Sequence, residues 1–194
     1  MALKLITAAT TYPVTLADAK LHCKVDDAAD DTLITAMITS AAELAEQQLG
    51  RALMTQTWEL TLDGFPDAFE LTRVPVQSVT SVKYYDTTGT LQTLASNLYS
   101  VDTADGDGFA YIAPAYNTSW PDTREQINAV VVRFVAGYTD AASVPEPIKT
   151  WIKLMIGTMY ENREAEAHIA RASAGTVRMQ FVDRLLDRYR VASL

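Results

Sequence analysis

Apolar positions along this chain switch period twice, from helical spacing to alternation and back. From residue 15 to residue 49 they recur at helical spacing. Thr15 is placed as an N-cap, with Asp18 three residues on to complete a capping box. The helix that follows carries Leu16, Ala19, Lys20 and Cys23 on one face. The acidic run Asp26 to Asp31 breaks it, and Asp30 or Asp31 is placed to cap a second helix. That helix has a stripe of Leu33, Ile34, Met37, Ile38, Ala41, Leu44, Ala45 and Leu49, and Gly50 stands where a left-handed C′ residue is needed.

From about residue 54 to 134 the period becomes two. Met54 to Leu62, Phe69 to Leu71, Val76 to Tyr85, Thr90 to Leu94, Leu98 to Val101, Phe109 to Ile112 and Ile127 to Phe134 read as strands. Asp86-Thr-Thr-Gly89 is a hairpin turn, the acidic Asp102 to Gly108 is a second hairpin loop, and Ala113 to Arg124 is a loop. The near-continuous apolar run at 127–134 suits a central strand. Helical spacing returns after Pro145 and Pro147, with Ile148, Trp151, Ile152, Met155, Ile156, Met159 and Tyr160 as the stripe and the helix continuing to about Ala170. A small-residue joint, Ala172 to Thr176, leads to a last short helix over 182–190 with Leu185, Leu186 and Tyr189 inward.

Strands grouped between helices point to an α+β fold, not to alternating βαβ units. The helical stripes at the two ends of the chain each need a partner, and the simplest partner is the other. The expectation is a helical bundle formed by N- and C-terminal helices, residues 1–53 and 144–194, with an inserted antiparallel β segment, residues 54–143.

Composition narrows the function classes. The chain has 194 residues, 48% hydrophobic and 21% charged, which suits one or two compact units. No apolar run approaches the roughly 18–20 residues of a membrane span, and the N-terminus is too weak for a signal peptide. The single cysteine, Cys23, excludes an internal disulfide and reads as a small core residue. A net charge of −8 argues against a general nucleic-acid binder. The positive excess gathers late: residues 161–194 hold six arginines against five acids.

Candidate chemistry is thin. Glu164 and His168 share a helix face, but two ligands fall short of the four a structural zinc takes. Asp102, Asp105 and Asp107 miss the spacing of a calcium loop, since the third and twelfth positions are Ala104 and Ala113. Asp26, Asp27, Asp30 and Asp31 read as a capped, solvated joint. No phosphate loop, nucleophile elbow or metalloprotease motif occurs. The tryptophans and tyrosines, without a basic groove, read as core and interface anchors. Catalytic, cofactor-binding and metal residues are therefore expected to be none. The rival reading is a small hydrolase or metal-dependent enzyme with its site in the β segment, supported by the Asp-rich loop and His168.

The segments PVTLADAK, DDAADDTLITAMITSAAELAEQQLGRAL and TW, followed near the other end by VPEPIKTWIKLMIGTMYENRE and FVDRLLDRYR, resemble the head–tail connector (head-completion adaptor) proteins of long-tailed bacteriophages. The resemblance covers about half the chain. It implies a structural virion protein at the head–tail junction, assembled in the host bacterial cytoplasm. It further implies a homo-oligomeric ring of about twelve subunits, bound below the portal protein and continuing the DNA channel toward a further neck or tail-completion protein. An acidic lumen would let DNA pass without sequence-specific binding. A free-standing adaptor is a variant of the same reading. The Arg-rich tail is the candidate portal or subunit contact, through Arg178, Arg184, Leu185, Leu186, Arg188, Tyr189 and Arg190. A short helix is marginal alone and needs a partner. On that ground a chain lacking residues 176–194 is expected to fold but not to join portal-bearing heads.

Overall fold

The computed structural model describes residues 1–104, 109–162 and 180–191. It is α+β with antiparallel sheets, as the strand grouping implied, and the chain divides into two compact units. The first comprises residues 1–10 and 54–139, and the second residues 11–53 and 140–192.

The sheet unit holds eight strands: β1 (Ala2–Thr7), β2 (Gln56–Leu62), β3 (Phe69–Leu71), β4 (Val76–Tyr85), β5 (Leu91–Leu94), β6 (Tyr99–Asp102), β7 (Ala110–Pro114) and β8 (Val130–Ala136). Five form an antiparallel sheet in the order β1-β2-β8-β4-β5, and three form a second in the order β3-β7-β6. Strand β8 lies in the middle, as its apolar run implied. Its register places Phe134 opposite Trp58 and Val79, and Val132 opposite Leu60 and Val82. Leu60, Val82, Val130, Val132, Phe134 and Ala136 are buried on that face. The alternate positions of the same strands carry Thr, Ser, Lys, Glu and Arg, with half-buried Val131 and Val135 among them, so alternation divides the sheet into a dry face and a wetter one. The guanidinium of Arg73 sits 4.9 Å from the centroid of the Trp58 ring. In the second sheet Phe69, Leu71, Ala110 and Ile112 are buried.

Strand β1 corrects the expected boundary. Residues 1–53 were assigned to the helical part, but Ala2–Thr7 pairs antiparallel with β2, with a bulge between Leu5 and Thr7. Residues 140–143, expected with the strands, belong to the helical unit. Strand β8 also begins three residues later than the apolar run. Asn128 takes a left-handed φ of 59° and ends the extended path, which leaves Ile127 80% exposed.

The helical unit holds α1 (Leu16–Cys23), α2 (Asp31–Leu49), α3 (Glu146–Glu161) and α4 (Gln180–Asp187). Helix α1 starts on the expected capping box: the Thr15 side chain accepts from the Asp18 N–H at 3.1 Å, and the Thr15 hydroxyl donates to the Asp18 carboxylate at 2.6 Å. Lys24, at φ 56°, and Gly50, at φ 70°, close α1 and α2 in the left-handed conformation that satisfies helix-end carbonyls. Helix α3 contacts α1, α2 and α4. It buries Ile148, Trp151, Ile152 and Ile156, while α2 buries Ile34, Met37, Ile38, Ala41, Ala42, Ala45 and Leu49. The α2 stripe is turned slightly from the expected one: Ala42 is inside, Leu33 is 37% exposed and Leu44 is half-buried. The expected extension of α3 from residue 163 to about 170 lies outside the described residues. No helix among the described residues is long and apolar enough to cross a membrane.

Candidate functional site

The Arg-rich tail is the site the sequence singled out, and its described part lies in α4 and the turn after it. Tyr189 N–H donates to Leu186 O at 2.9 Å, closing that turn. Val191 N–H then donates to Leu49 O at 2.8 Å. Leu49 ends α2, where backbone carbonyls have no partner inside the helix, so the tail supplies one of them. Leu186 is fully buried and α4 contacts α3. Leu186 is thus a core residue of its own unit, which removes it from the candidate contact set. Leu185 and Tyr189 are half-buried, and Arg184, Arg188 and Arg190 are exposed. Arg190 lies 3.5 Å from Asp187, and the Arg188 guanidinium is 6.0 Å from the Tyr189 ring centroid. The outer side of the tail is a cationic ridge with partly covered Leu185 and Tyr189 beside it. Arg178 lies outside the described residues.

The acidic joint is a fastening. Lys20 Nζ donates to Asp31 at 2.6 Å and to Asp27 O at 2.6 Å, the Asp27 carboxylate accepts from Ala29 N–H at 2.9 Å, and the Tyr160 hydroxyl donates to Asp30 at 2.6 Å. Asp30 occupies the N-cap position without a side-chain cap bond, because its carboxylate is turned toward Tyr160. His22 lies against Gly157, where an added Cβ would come within 3.3 Å of its Nε2. It is exposed and lies on the surface beside α3. Burial raises the Cys23 thiol above its ordinary value and nearby Glu161 raises it further, the opposite of what activates a nucleophile. Glu164, His168, Asp105 and Asp107 lie outside the described residues. Among the described residues no three His, Cys, Asp or Glu side chains are grouped to hold a metal ion.

A concavity of about 260 Å³ in the helical unit is lined by Pro13, Asp18, Glu146, Lys149 and Lys153, among others. Asp18, Glu146 and Lys149 among its polar groups are already engaged. Asp18 serves the α1 cap, and Lys149 Nζ pairs with Glu146 at 2.6 Å and donates to Ala141 O at 3.3 Å.

Among the described residues of the sheet unit, Asp86 has the most strongly displaced carboxyl pKa. Its carboxylate accepts from the Thr88 hydroxyl at 2.6 Å, Gln92 Nε2 at 2.9 Å, and the Thr90 and Thr88 N–H groups at 3.0 Å each. Chief among these the Thr88 hydroxyl, they hold its pKa at about 2, below the ordinary 3.8. Because the folded-state value is depressed, the stabilisation is present above pH 4 and is lost as pH falls toward 2. A carboxyl NMR titration should find Asp86 as the low outlier; a midpoint at the ordinary value would show that the turn is open. The role is structural, fixing the β4–β5 hairpin.

Comparison with known proteins bears out the resemblance. Residues 13–108 match the family of phage gp6-like head-tail connector proteins. No curated protein sequence matches the chain. Among solved structures the chain is similar to a protein of the virion of a native gene transfer agent particle, with TM-score 0.79 and 21% identity over 100% of this chain and 97% of that one. A protein from the neck of the empty particle, computed with C6 symmetry, gives 0.77 and 22% over the same shares. One from the neck of the native particle, computed with C12 symmetry, gives 0.69 and 22%, again over the same shares.

Proposed function

We propose that this chain is a head–tail connector subunit, a structural protein of a virion neck with no catalytic role. The observation that carries the reading is the match of residues 13–108 to the connector family, which spans α1, α2 and strands β2 to β6. The likeness to neck proteins over the whole chain supports the same fold beyond that stretch. On this reading about twelve copies close into a ring through heterologous contacts. The ring sits below the portal at the head–tail junction and hands the DNA channel on to the next neck protein. The N- and C-terminal helices form one bundle, the β segment is its insertion, and both are free to face neighbouring copies in the ring.

The tail supplies the portal contact on this reading, through Arg184, Arg188 and Arg190 with Leu185 and Tyr189 beside them. Charged rims of this kind steer association more than they set its final affinity. The test adds purified protein to portal-bearing heads that lack it. The expected result is a closed ring of density below the portal and heads able to accept tails; failure to bind such heads at any concentration would sink the reading. Replacing Arg184, Arg188 and Arg190 together with glutamate should leave the melting temperature unchanged and slow head binding. Deleting residues 180–194 should instead lower the melting temperature, because Leu186 and the Val191–Leu49 bond go with it.

A further inference from the structure

We infer that two surfaces of the sheet unit form a head-to-tail contact between copies of this chain, the acidic end of one five-stranded sheet resting on the basic face of the next. This deepens the ring reading and rests on it.

The basic half is the wetter face of the sheet. Register places Lys4 opposite Glu59, Glu59 opposite Arg133, and Arg133 opposite Ser81, in one row across four strands. Lys83 lies on the same face opposite Thr93. Glu59 is the sole acid on the paired positions of this face, and its carboxylate is held by Arg133 at 2.6 Å. Three cations stand against one carboxylate, in a chain whose net charge is −8. Between them lie the half-buried β-branched side chains of Val131 and Val135.

The acidic half is the end of the sheet where β2 and β4 finish and β8 begins. The loop before β8 is tied to that end: Tyr85 N–H donates to Ala129 O at 2.9 Å, Arg124 N–H donates to Tyr85 O at 3.0 Å, and Asn128 N–H donates to the Asp63 carboxylate at 2.9 Å. This brings the loop that carries Asp122, Glu125 and one cation, Arg124, to the strand ends that carry Asp63 and Asp86. Among them Ile127 stands 80% exposed, held out by the left-handed Asn128.

The two surfaces are distinct and complementary, which is what a heterologous contact requires. In a ring of about twelve, successive copies turn by about 30°, so the end of one sheet meets the face of the next obliquely, as overlapping tiles do. A second copy fits the basic face better than a nucleic acid. Only three cations are present, one of them already paired, and Ile127 has a use against Val131 and Val135 but none against a phosphate backbone.

The test uses two exposed pairs. Lys4→Glu with Lys83→Glu makes the face acidic, and Asp122→Lys with Glu125→Lys makes the end basic. Each variant alone should lose ring assembly, with self-association weakened by at least about tenfold, while an equimolar mixture of the two should assemble again. A zero-length carbodiimide cross-link on the unaltered protein, between isotopically labelled and unlabelled copies, should join Lys4 or Lys83 to Asp122 or Glu125. Rings that form without that cross-link, or variants that assemble separately as well as the parent, overturn this contact and leave the ring reading standing. Binding of duplex DNA that Lys4→Glu with Lys83→Glu abolishes, with ring assembly intact, would also overturn it. Absence of any ring, even on portal-bearing heads, would sink both.

Discussion

Gly137→Ala should destabilise the sheet unit by about 3–5 kcal/mol. Gly137 follows β8 with φ at 107°, a conformation costly for any residue with a Cβ. A Cβ there would also stand 2.0 Å from Met54 O and 2.4 Å from Met54 C, both backbone atoms with no side-chain freedom to yield. The residue cannot swing aside. Its N–H donates to Pro75 O at 2.8 Å and its carbonyl accepts from Gln77 Nε2 at 2.8 Å. Gly64→Ala is the matched control, since the nearest atom to its added Cβ is Thr123 Oγ1 at 3.7 Å, an ordinary contact. It should change stability by no more than about 0.5 kcal/mol. Urea midpoints of the two variants decide the matter; near-equal values would show that the close approach of Gly137 to Met54 is absent in solution.

Ile152→Ala should cost about 2–5 kcal/mol through loss of buried methyl groups and the cavity left behind. Ile152 is fully buried on α3, with Ile148, Trp151 and Ile156 buried on the same helix. Leu44→Ala, by contrast, should cost about 1 kcal/mol. Leu44 belongs to the apolar stripe of α2 by spacing, yet in the structure it is only half-buried. Thermal unfolding of both variants tests the facing of α2. Equal losses would return Leu44 to the core and contradict the observed rotation of the stripe.

That rotation shows where sequence pattern stops. The start of α1 and the end of α2 were legible because caps are local: Thr15 with Asp18 and Gly50 each act within a turn of the helix they bound. The facing of α2 was less so, because Ala41, Ala42 and Ala45 look alike to a periodicity argument while only packing decides which lie inside. Strands β2 to β7 were readable from alternation, and the Asp86 turn from its residues. Strand β1 was hidden by its bulge, and its apolar Leu5 and Ile6 remain 41% and 38% exposed, so it lacks the buried face that marks a strand. Sheet order was not legible, since nothing local pairs β8 with β2 and β4. Of the candidate tail, the outward arginines follow from helical spacing. The burial of Leu186 does not, because it depends on α3 and on the carbonyl of Leu49.

The central place of β8 has a consequence for how the chain is made. Arg133 meets Glu59 across 74 positions of sequence, and Tyr160 meets Asp30 across 130. On a ribosome, β1, β2, β4 and β5 emerge before the strand that joins them, and α1 and α2 emerge before the helix that covers them. Until residues 130–136 are released, β2 and β4 each keep one open edge, the kind of surface that invites pairing with other chains. Local pairings such as the β4–β5 hairpin can form early, but loop closure makes the long-range ones slow. Nascent chains stalled short of about residue 136 should therefore be captured by chaperones or aggregate, whereas release of β8 and then α3 lets both units close within a short interval of synthesis.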